Sequence, residues 1–325
     1  MKKLKLLAVA LSSMLVLALV ACGGEDGDDA TESPDNGEDG NGEGIELGEK
    51  DIKISYIAWA GALARTPIVK KVLEEAGYNV EDKQMEAGPA WQDIADDPAA
   101  FTTAAWLPAT HADYWEQYKD DLDEIGIFVD KAPLALTVPD YVVEEYGIEE
   151  IDDLIDNEEF GDDVDWTITG IDPGAGIMQN TETALDADEG YGLEDAGWTL
   201  EESSEAAMMG ELLSAYEDEE PIIIPGWKPH QKFEQFDLTM LEDPKEIYGG
   251  EGDEIAAIGN KDFKETAPAA YEIVKRFTED YDTDIEQELL VDINIEEKDP
   301  EEVADEFLEE NQDLVDKWLD GIAAE

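Results

Sequence analysis

The chain carries 86 acidic residues against 20 lysines and arginines, a formal net charge of -66 over 325 residues. Any compact state must hold against that self-repulsion. What it can fold into therefore depends on the apolar surface it buries and on the salt around it. Disorder is the other outcome of such a charge. Composition argues against disorder beyond residue 50, because 42% of the chain is hydrophobic and eight tryptophans need a core. At molar salt the Debye length falls to about 3 Å and the repulsion is largely screened. The acidity reads as adaptation to an exterior that is saline, alkaline or both. Nucleic acid is excluded as a partner, since phosphate binding needs clustered lysine and arginine.

The first residues supply an address. Lys2, Lys3 and Lys5 precede an apolar run from Leu6 to Ala21, and small residues lead into Cys22, the only cysteine in the chain. The run is roughly 16 residues, short of the roughly 20 that a spanning helix needs. It reads as a signal peptide over 1–21 that is removed from the mature protein. A cysteine at the cleavage point resembles the lipobox of bacterial lipoproteins. The resemblance implies lipidation at Cys22 and an exported protein anchored at the outer face of the cytoplasmic membrane. A plain signal peptide with an incidental cysteine is the competing reading. With Cys22 consumed, no thiol remains for a disulfide, a metal or catalysis. Residues 22–50 are rich in glycine and acid, with eleven acids and one lysine between Gly23 and Lys50. They read as a self-repelling tether.

The body beyond is expected to alternate strands and helices. Ile52 to Ala58 alternates as a strand. Thr66-Pro67 reads as the start of a helix whose apolar face is Ile68, Val69, Val72, Leu73 and Ala76. Further strands are expected at Tyr78 to Met85, Thr102 to Leu107, Leu134 to Pro139, Asp165 to Ile171 and Pro221 to Pro225. Helices are expected at Tyr114 to Ile125, from Ile177 to about Ala187, and from Ser203 or Ser204 to Tyr216 with Ala206, Met209 and Leu213 inward. This pattern implies an α/β fold with mainly parallel sheets and flanking helices.

Three tryptophans stand at strand ends beside special turns: Trp59 after Ser-Tyr-Ile-Ala, Trp106 in Ala-Trp-Leu-Pro-Ala-Thr-His111, and Trp227 in Gly-Trp-Lys-Pro-His230. Ligands of open α/β sheets sit outside the carboxyl ends of strands. One such tryptophan is more often core; three, two of them followed by a proline and a histidine, favour a ligand site. The chain has two histidines, both in these turns. Two histidines without matching carboxylate spacing do not make a metal site. There is no Gly-x-Ser-x-Gly and no Ser-His-Asp order, so the reading is a binding protein without cofactor and not an enzyme. The Asp172-Pro-Gly-Ala-Gly176-Ile177 turn runs from a strand into a helix. Free amides there can grip an anion or simply start the helix.

The segments Tyr56–Trp59, Glu86–Trp91, Ala105–His111, Leu134–Asp140, Gly170–Met178, Ser203–Met208 and Ile222–His230 occur in that order. Together they resemble the glycine betaine substrate-binding proteins of ABC importers. The resemblance implies a two-lobe periplasmic-binding-protein-like fold of type II that closes about a hinge. Lobe one is expected at 51–138 with a return part at 231–325, and lobe two at 139–230, with crossings near Pro139 and Pro225. It also implies that Trp59, Trp106 and Trp227 box a trimethylammonium group. Gly176, Ile177 and His111 would hold the ligand carboxylate, and His230 and Trp91 would support them. The implied partners are glycine betaine or a related zwitterion and an ABC permease with its cytoplasmic ATPase. Two departures stand out: Ala60 where an acid often follows the first box tryptophan, and Gln231 where an aromatic often follows the histidine.

Choline, carnitine, proline betaine or a sulfonium analogue would suit the same fold. A surface sensor that presents ligand to a signalling partner, or an extracellular hydrolase, would be a different class. If the acidity is salt-adaptive, the thermal unfolding midpoint rises with added NaCl. A midpoint that does not move with salt contradicts that reading.

Overall fold

Residues 44–323 are described by the computed structural model. The signal segment, Cys22 and most of the tether lie outside the described residues. Among those described, no helix is long and apolar enough to cross a membrane.

Among the described residues there are ten strands: β1 (Asp51–Tyr56), β2 (Asn79–Gln84), β3 (Ala100–Leu107), β4 (Leu122–Ala132), β5 (Leu134–Pro139), β6 (Thr167–Thr169), β7 (Thr199–Glu201), β8 (Ile224–Trp227), β9 (Leu238–Met240) and β10 (Asp253–Asn260). The first sheet has the order β2-β1-β3-β10-β4. Its β1 is parallel to β2 and β3, and its β10 is antiparallel to β3 and β4. In the second region β5 is antiparallel to β8 and β9, while β6 and β7 form a parallel pair. The Thr169 amide donates to the Ile223 carbonyl at 3.0 Å, which ties β6 to the start of β8. The three-stranded sheet β8-β5-β9 and the pair β6-β7 thus lie side by side.

The sheets are mixed, which corrects the expectation of mainly parallel ones. Parallel neighbours need a crossover, usually through a helix. The strands β5 and β10 arrive instead from the other sheet and enter antiparallel. The chain changes sheet at Pro133, between β4 and β5, and returns between Met240 and Asp253. Strands β5 and β9 therefore belong with the second sheet, although the expected boundaries at 138 and 231 put them with the first.

Other local readings shift for physical reasons. The first helix spans Ala60–Glu75, with Pro67 inside it rather than at its start. Its leading amide, Ala60 N–H, is met by the Glu205 carboxylate, 145 positions away, so no local cap marks the start. The stretch read as a helix to Ile125 is helical only over Ala112–Tyr118 and then enters β4. That strand pairs with β10 through register shifts that break its alternation. The helix Glu205–Asp218 is capped by Ser204 as expected, but it buries Glu205, Met208 and Leu212. Leu213, expected inward, is 47% exposed. Residues 45–50 fall in the expected tether, yet Leu47 is in the core and Ile45 bridges Ile322.

The helix Ala60–Glu75 also carries Arg65, one of two arginines in the chain. It is buried and pairs with buried Glu286 of the helix Thr283–Asn294. Its guanidinium also donates to the Thr103 carbonyl of β3 at 3.0 and 3.2 Å, and Tyr281 Oη donates to Glu286 at 2.9 Å. Burial opposes the arginine charge, and Glu286 and Tyr281 more than offset it, so Arg65 stays above its ordinary value. Removing one member of a buried pair strands the other. Glu286→Ala should cost about 3–5 kcal/mol in urea unfolding; a change within experimental error would mean that the pair does not organise this side of the core.

Candidate ligand-binding site

One cavity collects the ends of the strands of both sheets. It is lined by Trp59, Gly61, Ala62 and Arg65 from the first helix and its approach, and by Ala104, Trp106, Thr110 and His111 from β3 and its turn. Leu134, Ile171, Ala175, Gly176, Ile177, Trp227, Pro229 and Glu286 complete the wall. The space open to the centre of a water molecule is about 30 Å³. One water needs about 10–15 Å³ by this measure, so the cavity suits a small solute. All six residues expected to touch a ligand line it together.

The Trp106–His111 turn is held from below. Buried Asp253, at the start of β10, accepts the amides of Ala109 and Thr110 at 2.8 Å each. The amide of Trp106 donates to Nδ1 of His111 at 2.9 Å. With Nδ1 an acceptor, the proton of a neutral ring sits on Nε2. Burial pushes the His111 pKa down to about 3, so the ring is neutral at physiological pH. His111 therefore offers one uncharged donor to the cavity.

Three buried atoms of the wall have no hydrogen-bond partner among the described residues: Nε2 of His111, Oγ1 of Thr110 and Nε1 of Trp59. Orphaned buried polar groups are costly and call for an explanation. Opposite this turn, the helix Gly176–Leu185 begins after Ala175 with no side-chain cap. A Cβ on Gly176 would come within 1.9 Å of the Thr110 carbonyl oxygen. Glycine is what lets this helix start close against the His111 turn, with its first amides at the cavity.

Trp91 and His230, expected to support the site, are not among the lining residues and pack against those that are. Trp91 packs edge-on to His111, with centroids 5.5 Å apart, and stacks on Tyr114. His230 packs edge-on to Trp227 at 4.9 Å. The Lys232 amide donates to His230 Nδ1 at 3.1 Å, so Nε2–H of His230 points at Glu205, 3.1 Å away. Burial, aided by the charge of Lys232, holds the His230 pKa down at about 4. Glu205 thus joins the His230 ring to the start of the first helix. Sequence reading missed Thr110, Glu205 and the Arg65–Glu286 pair. A rare arginine and a glutamate directly after a helix cap were their available signals.

Over residues 50–310 the chain matches the family described as the substrate binding domain of ABC-type glycine betaine transport systems. The chain belongs to this family. It is 40% identical over 165 residues to the glycine betaine/carnitine transport binding protein GbuC of Listeria monocytogenes, covering 51% of this chain and 53% of that protein. It is 26% identical over 174 residues to the glycine betaine/proline betaine-binding periplasmic protein of Escherichia coli, covering 51% of each. The chain thus spans about half the length of the curated relatives it matches. Among solved structures, lactococcal OpuAC in its closed conformation with glycine betaine is 31% identical, with a TM-score of 0.73 over 83% of this chain and 99% of that one. The ProX protein of Borrelia burgdorferi is 30% identical, with a TM-score of 0.75 over 83% of this chain and 96% of that one. The architecture is accordingly the type II, two-lobe α/β fold.

Proposed function

We propose that this protein captures glycine betaine outside the cell and delivers it to an ABC permease. The observation that carries the reading is the pairing, in one cavity, of three indoles with uncharged unpartnered donors. Trp59, Trp106 and Trp227 enclose the trimethylammonium group. That group has no N–H to donate, so dispersion and the negative faces of the rings must hold it. Each desolvated contact contributes roughly 0.5–2 kcal/mol. The carboxylate accepts from His111 Nε2–H and from the amides of Gly176 and Ile177.

Electrostatics support a zwitterion over a net ion. The arginine and the glutamate in the wall neutralise each other. Small hydrated cations gain little from aromatic walls, which favours an organic cation in brine. The relative GbuC gives carnitine as a second ligand to test.

The wall comes from elements of both sheets, so ligand would bridge the lobes and favour the closed state. Hinge points at Pro133 and in the Leu241–Gly252 return fit that motion. Lipidation at Cys22 would keep the body beside the permease.

Calorimetric titration of the purified protein with glycine betaine, carnitine and choline in molar NaCl tests the reading. Betaine should bind at micromolar level or tighter and choline much more weakly, since choline lacks a carboxylate. Tight choline with weak betaine would overturn the roles of His111, Gly176 and Ile177. No binding of any of the three would overturn the whole reading.

A further inference from the structure

Lys232 lies in the short helix Lys232–Gln235, just past the Trp227 turn. It is fully buried, and its ammonium has no hydrogen-bond partner among the described residues. The nitrogen sits 3.5 Å from the centroid of the Trp227 ring. Trp227 lines the cavity, whereas Lys232 is not among its lining residues. A cation there draws on the same π density that would hold a quaternary ammonium in the cavity. It also repels that second cation through the ring.

We infer that Lys232 sets the affinity of the site: its charge, acting through Trp227, weakens the hold on a quaternary ammonium, and loss of that charge strengthens it. The inference rests on the proposal that Trp227 is a wall of the trimethylammonium site.

The surroundings make the charge switchable. Burial pulls the Lys232 pKa down to about 7, with Glu205 acting in the opposite sense. Glu205 belongs to the helix Glu205–Asp218 and is itself engaged by His230 and the Ala60 amide. His230 is neutral in this range, held at about 4 by burial. Lys228 lies 4.4 Å over the Phe233 ring, whose centroid is also 5.9 Å from the Lys232 nitrogen. Glu234 lines a separate surface hollow with Asp284 and Glu288. The other histidine, His111, stays neutral above about 3. A rise in pH through 7 thus discharges Lys232 while both histidines remain unchanged. Affinity rises as the proton leaves, and by reciprocity ligand binding expels the proton.

The test is calorimetry on the whole protein with glycine betaine and with tetramethylammonium, which has no carboxylate, at about pH 5.5 and about pH 8.5, on either side of the lysine transition. Wild type should bind both about tenfold more tightly at the higher pH, the scale of repulsion between two charges across a ring. Buffers of different ionisation heat should reveal proton release near neutrality. Lys232→Met should bind with the alkaline wild-type affinity at both pH values and release no proton. A pH-independent wild type, or the same pH dependence in Lys232→Met, overturns the inference. A ligand-free readout stands apart from the variant's folding. The difference in tryptophan emission between wild type and Trp227→Phe should show a transition near 7; a flat difference places no titrating ammonium on the ring and overturns the inference. If that transition appears but Trp227→Phe binds betaine unchanged, the aromatic wall itself is wrong and the inference falls with it.

Discussion

A single hydrogen bond, from the Trp106 amide to Nδ1 of His111, sets which ring nitrogen of His111 can donate into the cavity. It fixes the tautomer of a ring that burial keeps neutral, and so turns the histidine into a donor without a charge. Asp253 holds the same turn from below through two amides. The tryptophan and the histidine of one short turn thus face the cavity in a fixed relation. In a chain with a net charge of -66, a neutral donor has a clear advantage. It can take a carboxylate without a cationic side chain that the surrounding acids would claim.

The two sheets meet where this turn touches the helix Gly176–Leu185. Gly176 lets the helix start against the Thr110 carbonyl, and Glu205 reaches from the second region to the first helix and to His230. These contacts run alongside the cavity. On the proposed reading, a ligand seated in the cavity would add to what holds the two sheets together and so favour the closed state. The buried Arg65–Glu286 pair plays a different part. It puts full charges in the cavity wall yet leaves no net charge there for an ion to exploit.

Much of the cavity wall was legible because its motifs carry their geometry within a few residues. The Trp106–His111 turn, the Gly176–Ile177 helix start and the Gly226–His230 turn each hold their wall residues within a few positions. The parts that escaped depend on distant partners. The first helix begins a turn and a half before Thr66 because its cap is Glu205, which no local pattern reveals. The same glutamate is why the helix Glu205–Asp218 was phased one residue off: a buried carboxylate, and not an apolar side chain, anchors its inward face. Strand β4 lost its alternation to register shifts against β10. The sheet exchange at Pro133 is invisible because β4 and β5 are nearly continuous in sequence. Lys232 escaped because a lysine beside a polar turn reads as exposed, whereas here it lies against an indole.

The most direct test of the central claim is a crystal structure of the protein with glycine betaine, grown in molar salt. The account predicts the trimethylammonium group among Trp59, Trp106 and Trp227. It also predicts a carboxylate oxygen within about 3.2 Å of His111 Nε2 and of the Gly176 and Ile177 amides, at ordinary hydrogen-bond distance. Betaine bound with its carboxylate turned away from His111, or bound outside this cavity, would contradict it.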